Sequence, residues 1–247
     1  RGDTLFAIVL GLPEEKTDSD RSGGTTTTPT TEKRCKNYNA LRSPYFGDLH
    51  SHTTYSLDAN TQGTQVKPLD AYHFAQGQKL GIQPYDAAGN PTRFTQIARP
   101  LDFAAVTDHA ELFGETEICT NSSYLEYNFP ECQFYRASPE NAFTVFNLAA
   151  VGLPELPQFP TPAGIPLASD APIIGSNGKI PRLPYCGLNG ERCLEAAKTP
   201  WRDIQRAAEA AYDRSDDCRF TSFVAYEYTL APQSNNLHRN VIFRSEV

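Results

Sequence analysis

Four of the five histidines in this chain fall in short polar clusters whose residue types suit a divalent metal ion. The first cluster is Tyr45-Phe46-Gly47-Asp48-Leu49-His50-Ser51-His52-Thr53, in which Tyr45 to His50 reads as a strand. Residues two apart on a strand face one side, so Asp48, His50 and His52 should project together. Neighbouring imidazoles make a metal pair, and a carboxylate beside them can orient a ring. The alternative for the same residues is a pair of histidines in a polar turn. The second cluster, Val106-Thr107-Asp108-His109-Ala110-Glu111, follows the apolar run Asp102–Thr107, which fits a buried strand. In α/β barrels the C-terminal strand ends build the active face, so Asp108, His109 and Glu111 read as site residues. Glu227 closes the strand-like run FTSFVAY (residues 220–226). A carboxylate finishing a buried strand is costly unless it is paired or bound to metal. His238-Arg239 comes eleven residues later, at the head of the strand-like segment ending at Phe243, where the strand-end rule does not place it.

These residues need elements to hold them. The pattern predicts a helix over Lys67–Leu80, with Pro68 in its first turn and Gly81 past its end, and another over 139–150. The clearest helix is Thr199–Arg214. Thr199 can cap it, Pro200 suits its first position, and Trp201, Ile204, Ala208, Ala211 and Tyr212 form an apolar face. Strands alternating with helices point to an α/β fold with a parallel sheet or barrel. Residues 152–192, rich in Pro and Gly, read as a long surface excursion. The globular domain spans 35–247. Ahead of it lie an apolar segment at Leu5–Leu12, read as a single strand rather than a signal-peptide core, and a Thr/Ser/Gly-rich linker over 13–34.

Composition narrows the function. A formal charge of −7 argues against nucleic acid as a partner. It leaves room for a small anionic substrate, because metal ions reverse the local field. No apolar run is long enough for a transmembrane helix. The chain lacks methionine even at position 1, and is expected to be processed or a piece of a longer product. Six cysteines without a CxxC pair favour disulfides over zinc knuckles, hence a secreted, periplasmic or cell-surface location. The expected pairs are Cys119–Cys132 and Cys186–Cys193, each closing a short loop, with Cys35–Cys218 at long range; six buried thiols are the alternative.

In their order, GDLHSHTTYSLDA, VTDHAE, AYEYT and HRNVIF resemble the PHP (polymerase and histidinol phosphatase) superfamily. More narrowly, they are similar to a mostly secreted bacterial branch described as a domain of unknown function. The resemblance covers roughly residues 35 to 247, with little carried by 112–198. It implies a distorted β/α barrel of PHP type, of which the chain would hold the N-terminal part, with two or three divalent ions (Zn, Mn or Fe). His50 and His52 match the first metal motif, Asp58 a position that is His or Asp in the family, and His109 the second motif. Glu227 matches the glutamate that bridges metals, and His238 the next histidine. Asp48, Asp108 and Glu111 would stand behind the ligands; Asp108 and Arg239 are also the candidates for catalysis itself. The family pattern continues with a further His or Cys and a late Asp-x-His that nothing before Val247 supplies, and His73 reads as a surface residue of its helix. The implied activity is hydrolysis of a small ester, by default a phosphate ester, by a metal-activated hydroxide, with Arg239 helping to balance charge. More than four candidate ligands argue against a closed structural zinc site. A rival of another class is a secreted structural subunit that self-assembles by donating residues 1–12 to a neighbour's sheet.

Overall fold

The computed structural model describes residues 35–39, 41–151, 183–187, 190–230 and 237–244. The expected N-terminal strand, the linker and most of the Pro/Gly-rich segment lie outside them. From the N-terminus the elements are β1 (Gly47–Ser51), α1 (Leu57–Thr61), α2 (Pro68–Ala75), β2 (Leu80–Tyr85), β3 (Pro91–Thr95) and β4 (Phe103–Val106). Then come α3 (Phe113–Thr120), α4 (Pro130–Ala137), α5 (Pro139–Val151), α6 (Glu191–Ala196) and α7 (Lys198–Ala211), followed by β5 (Thr221–Phe223), β6 (Ala225–Leu230) and β7 (Leu237–Ile242).

The α/β class with a parallel sheet is present: β1, β4 and β5 run parallel in the order β1-β4-β5. The barrel is not. Among the described residues the sheet does not close, and β2-β3 and β6-β7 are separate antiparallel hairpins. Two helices cover the sheet. Trp201, Ile204, Ala207, Ala208 and Ala211 of α7 are buried with Tyr72 of α2, Val106 and Phe220 in one core. Large side chains such as Ile204 contribute about 1.5–3 kcal/mol each by leaving water. Tyr72 also does polar work. Its hydroxyl donates to the Phe223 carbonyl at 2.8 Å and accepts the Val106 N–H at 3.2 Å, so it ties β4 to β5 where both strands end.

A second core, of Ile118, Phe134, Tyr135, Phe146, Tyr185 and two disulfides, lies among the helices α3 to α6. Here α3 and α6 meet backbone to backbone: a Cβ on Gly114 would lie 1.8 Å from the Cys193 carbonyl oxygen. All three expected cysteine pairs are bonded: Cys119–Cys132, Cys186–Cys193 and Cys35–Cys218. No helix among the described residues is long and apolar enough to cross a membrane.

Several expected elements change. The helix foreseen over 67–80 ends at Ala75, where Gly77 takes a positive φ of 90°, and Leu80 and Gly81 open a hairpin instead. That hairpin turns at Asp86, whose Oδ1 accepts the Ala88 and Asn90 N–H groups. Thr199 does not cap α7. The helix starts at Lys198 almost directly from α6, with Ala197 in helical conformation at the cap position, and Pro200 lies buried in the first turn. Tyr212 falls past its end and is exposed. The single strand foreseen over 220–226 is two strands interrupted at Val224, whose carbonyl accepts the Phe243 N–H at 2.9 Å.

Candidate metal centre

β1 delivers His50 at its end and His52 just beyond it, and His109 follows β4, so both come from C-terminal ends of parallel strands. Backbone bonds hold these exits together: Thr107 N–H donates to the Ser51 carbonyl at 2.8 Å, and Glu227 N–H to the Asp108 carbonyl at 3.0 Å. Glu227 therefore lies beside His109, with which it forms a parallel bridge. It is not the last residue of a strand but lies in the middle of β6. The β6-β7 register pairs Thr229 with His238 and Glu227 with Asn240, so these side chains share one face.

That face converges on Glu227, whose side chain is fully buried. Its Oε2 lies 2.9 Å from His50 Nε2, 2.8 Å from His52 Nε2 and 4.0 Å from His109 Nε2; its Oε1 meets His238 Nδ1. Neighbouring imidazole rings are 5.0, 4.8 and 5.3 Å apart along the series His50, His52, His109, His238. Asp58, on α1, accepts from His52 Nδ1 at 2.9 Å. All six expected ligands are thus brought together. Three overlapping groups could each hold an ion: His50/His52/Glu227, His52/Asp58/His109 and His109/Glu227/His238. A fourth grouping, Glu115 with Cys186 and Cys193, is spent because those sulfurs are bonded to each other. Among the described residues His73, half-buried on α2, joins no such group.

The electrostatics fit a cation. Among the described residues the charge partners of Glu227 and Asp58 are imidazoles rather than lysine or arginine. The sealed Glu227 carboxylate needs a positive partner, which a protonated imidazole or a divalent ion can supply. Burial opposes charging of His52, but Asp58 and Glu227 outweigh it and push its pKa up to about 9. Burial likewise opposes charging of Asp58 and Glu227, yet His52 holds Asp58 below the usual carboxylate range, and His109, with His52 and His238, does the same for Glu227. Imidazole and carboxylate donors together are those of zinc, manganese or iron sites.

The remaining expected residues take other places. Asp48 accepts the His50 backbone N–H at 2.9 Å and so holds the strand, not the ring. Asp108 is fully buried, and burial pushes its pKa up to about 6 against the hydrogen bonds it receives from Thr53 N–H and Oγ1. It ties the His52 loop to the His109 strand, one oxygen on Thr53 N–H and the other on Thr53 Oγ1. Glu111 lies 3.6 Å from His109 Nδ1 and accepts the Thr229 N–H. Arg239 is not brought to the cluster. It pairs with Tyr228 on the opposite face of the hairpin from His238, and its guanidinium donates to the His238 carbonyl at 2.8 Å. Sequence reasoning missed the hydroxyls. Ser56 donates to Asp58 and accepts the His109 N–H at 3.0 Å, and Thr229 touches two ligand rings. Ser56 stands two residues before Asp58 and Thr229 two after Glu227, a spacing that could have flagged both.

Fold and site together define an α/β protein whose strand ends gather a histidine-carboxylate cluster able to hold metal. The chain belongs to the family described as "Protein of unknown function (DUF3604)", whose model matches residues 39–247. No curated protein and no solved structure matches it.

Proposed function

We propose that this chain is a secreted, metal-dependent hydrolase of PHP type that cleaves small phosphate esters. The observation that carries the reading is the convergence of His50, His52, Asp58, His109 and His238 around one sealed carboxylate, Glu227. His50, His52 and Glu227 would hold one ion, and His109, His238 and Glu227 another. Bound there, divalent ions would supply Lewis acidity toward a phosphoryl oxygen and bring the pKa of a water toward neutrality. The chain's own residues set up the rest. Asp58 fixes the ring of His52 through Nδ1, and Asp108 with Thr53 locks the loop that carries both. The side chains of His52 and His109 are only 16 % and 18 % exposed and form the floor of the site, whereas His50 and His238, 59 % and 45 % exposed, leave one side open to a small anion. Three disulfides support an oxidising compartment.

Elemental analysis of the purified, undialysed protein tests this reading. Two or more equivalents of zinc, manganese or iron are expected, with turnover of p-nitrophenyl phosphate. The His50→Ala/His52→Ala variant should lose both. A metal-free wild type, or full metal content in the double variant, would sink the proposal.

A further inference from the structure

We propose that Thr229 is a positioning residue of the metal centre: its hydroxyl links the rings of His109 and His238 and sets which nitrogen of His109 faces an ion. The inference rests on the metal-binding reading above.

The β6-β7 register places Thr229 opposite His238 and two residues from Glu227, on the ligand face. Its Oγ1 is 3.1 Å from His109 Nδ1 and 3.1 Å from His238 Nδ1. Its oxygen can accept the His109 Nδ1 proton while it lies against His238 Nδ1, the nitrogen that also meets Glu227 Oε1. The His109 ring turns Nε2 toward Glu227 Oε2. For that nitrogen to offer a lone pair to an ion, the proton must stay on Nδ1, and something must accept it. Glu111 pairs with the same nitrogen at the longer distance of 3.6 Å, whereas the threonine hydroxyl is at hydrogen-bond distance. Glu111 instead takes the backbone N–H of Thr229 itself, which anchors the residue that does the orienting. His109 follows β4 and His238 lies on β7, so one side chain makes the orientation of each ring depend on the other.

Valine keeps the shape of threonine without the hydroxyl, and serine keeps the hydroxyl. Zinc affinity is to be measured by chelator competition on wild type, Thr229→Val and Thr229→Ser, with nitrogen-15 NMR of the histidine rings and thermal melts alongside. Wild type and Thr229→Ser should bind two ions and show His109 protonated at Nδ1. Thr229→Val should melt near the wild-type temperature, keep the ion on the His50/His52 side, bind the second about 10–100-fold more weakly, and show mixed His109 tautomers. Thr229→Ala repeats the test should valine fail to fold. Wild-type affinity and tautomer in the valine variant would overturn the inference, as would equal weakening of both ions with a lowered melting temperature. Zinc-free wild type would remove the metal reading itself, an outcome distinct from an unchanged valine variant.

Discussion

His52 stands between two carboxylates, Asp58 at Nδ1 and Glu227 at Nε2, and this decides how the metal-free protein responds to pH. Its folded pKa, about 9, lies above the ordinary histidine value of 6.5. A histidine raised in this way stabilises the fold fully below pH 6.5 and loses that contribution as pH rises through 9. His109 is displaced in the same direction, against its burial, by Glu111 and Glu227. With metal chelated, the unfolding free energy read from urea titrations should therefore fall between pH 6.5 and 9, by about 3 kcal/mol for His52. Asp58→Asn should flatten most of that slope. Added zinc should reverse the sign, because the ion replaces the proton and binds better as pH rises. A chelated midpoint that is constant over this range would remove the Asp58–His52 pair from the account.

At the scale of elements, the site depends on where β4 and β5 stop. Tyr72 occupies that point, taking the last N–H of β4 and the last carbonyl of β5 on one hydroxyl that reaches in from α2. Thr107, Asp108 and His109 leave the sheet directly after it. Tyr72→Phe keeps the ring in the core but strands the buried Val106 N–H and removes the partner of the half-buried Phe223 carbonyl, at a cost of about 1–3 kcal/mol. Urea unfolding should show that loss, and elemental analysis should show metal retained, because the ring still packs. A variant as stable as wild type would mean that the hydroxyl carries no load.

Across the whole molecule, Cys35–Cys218 joins residues 183 apart, and the Lys36 N–H donates to the Asp216 carbonyl beside it at 2.9 Å. A cross-link closing so long a loop acts chiefly on the unfolded chain, and its removal costs about 2–5 kcal/mol. Neither sulfur belongs to a ligand group. The Cys35→Ser/Cys218→Ser variant should thus melt lower yet bind metal with wild-type stoichiometry. Loss of metal in a still-folded variant would show that the bond positions the site as well as stabilising the fold.

Much of the site was legible because its signals are local. An imidazole pair two residues apart on a strand, an Asp-His after an apolar run and a carboxylate within a buried one each announce chemistry whatever lies elsewhere. The cysteine pairs and the helices at 139–151 and 198–211 were legible for similar reasons, loop length and apolar periodicity. The sequence by itself thus determined which residues form the candidate cluster, and the α/β class. What only the tertiary structure decided are relations between segments: the hairpin at 80–95, the break at Val224, the open sheet, and the antiparallel register that turns His238 and Thr229 toward Glu227 and Arg239 away. A one-residue change in such a register exchanges the two faces of a strand, and nothing in the local pattern of either strand states which residues of the other it will meet.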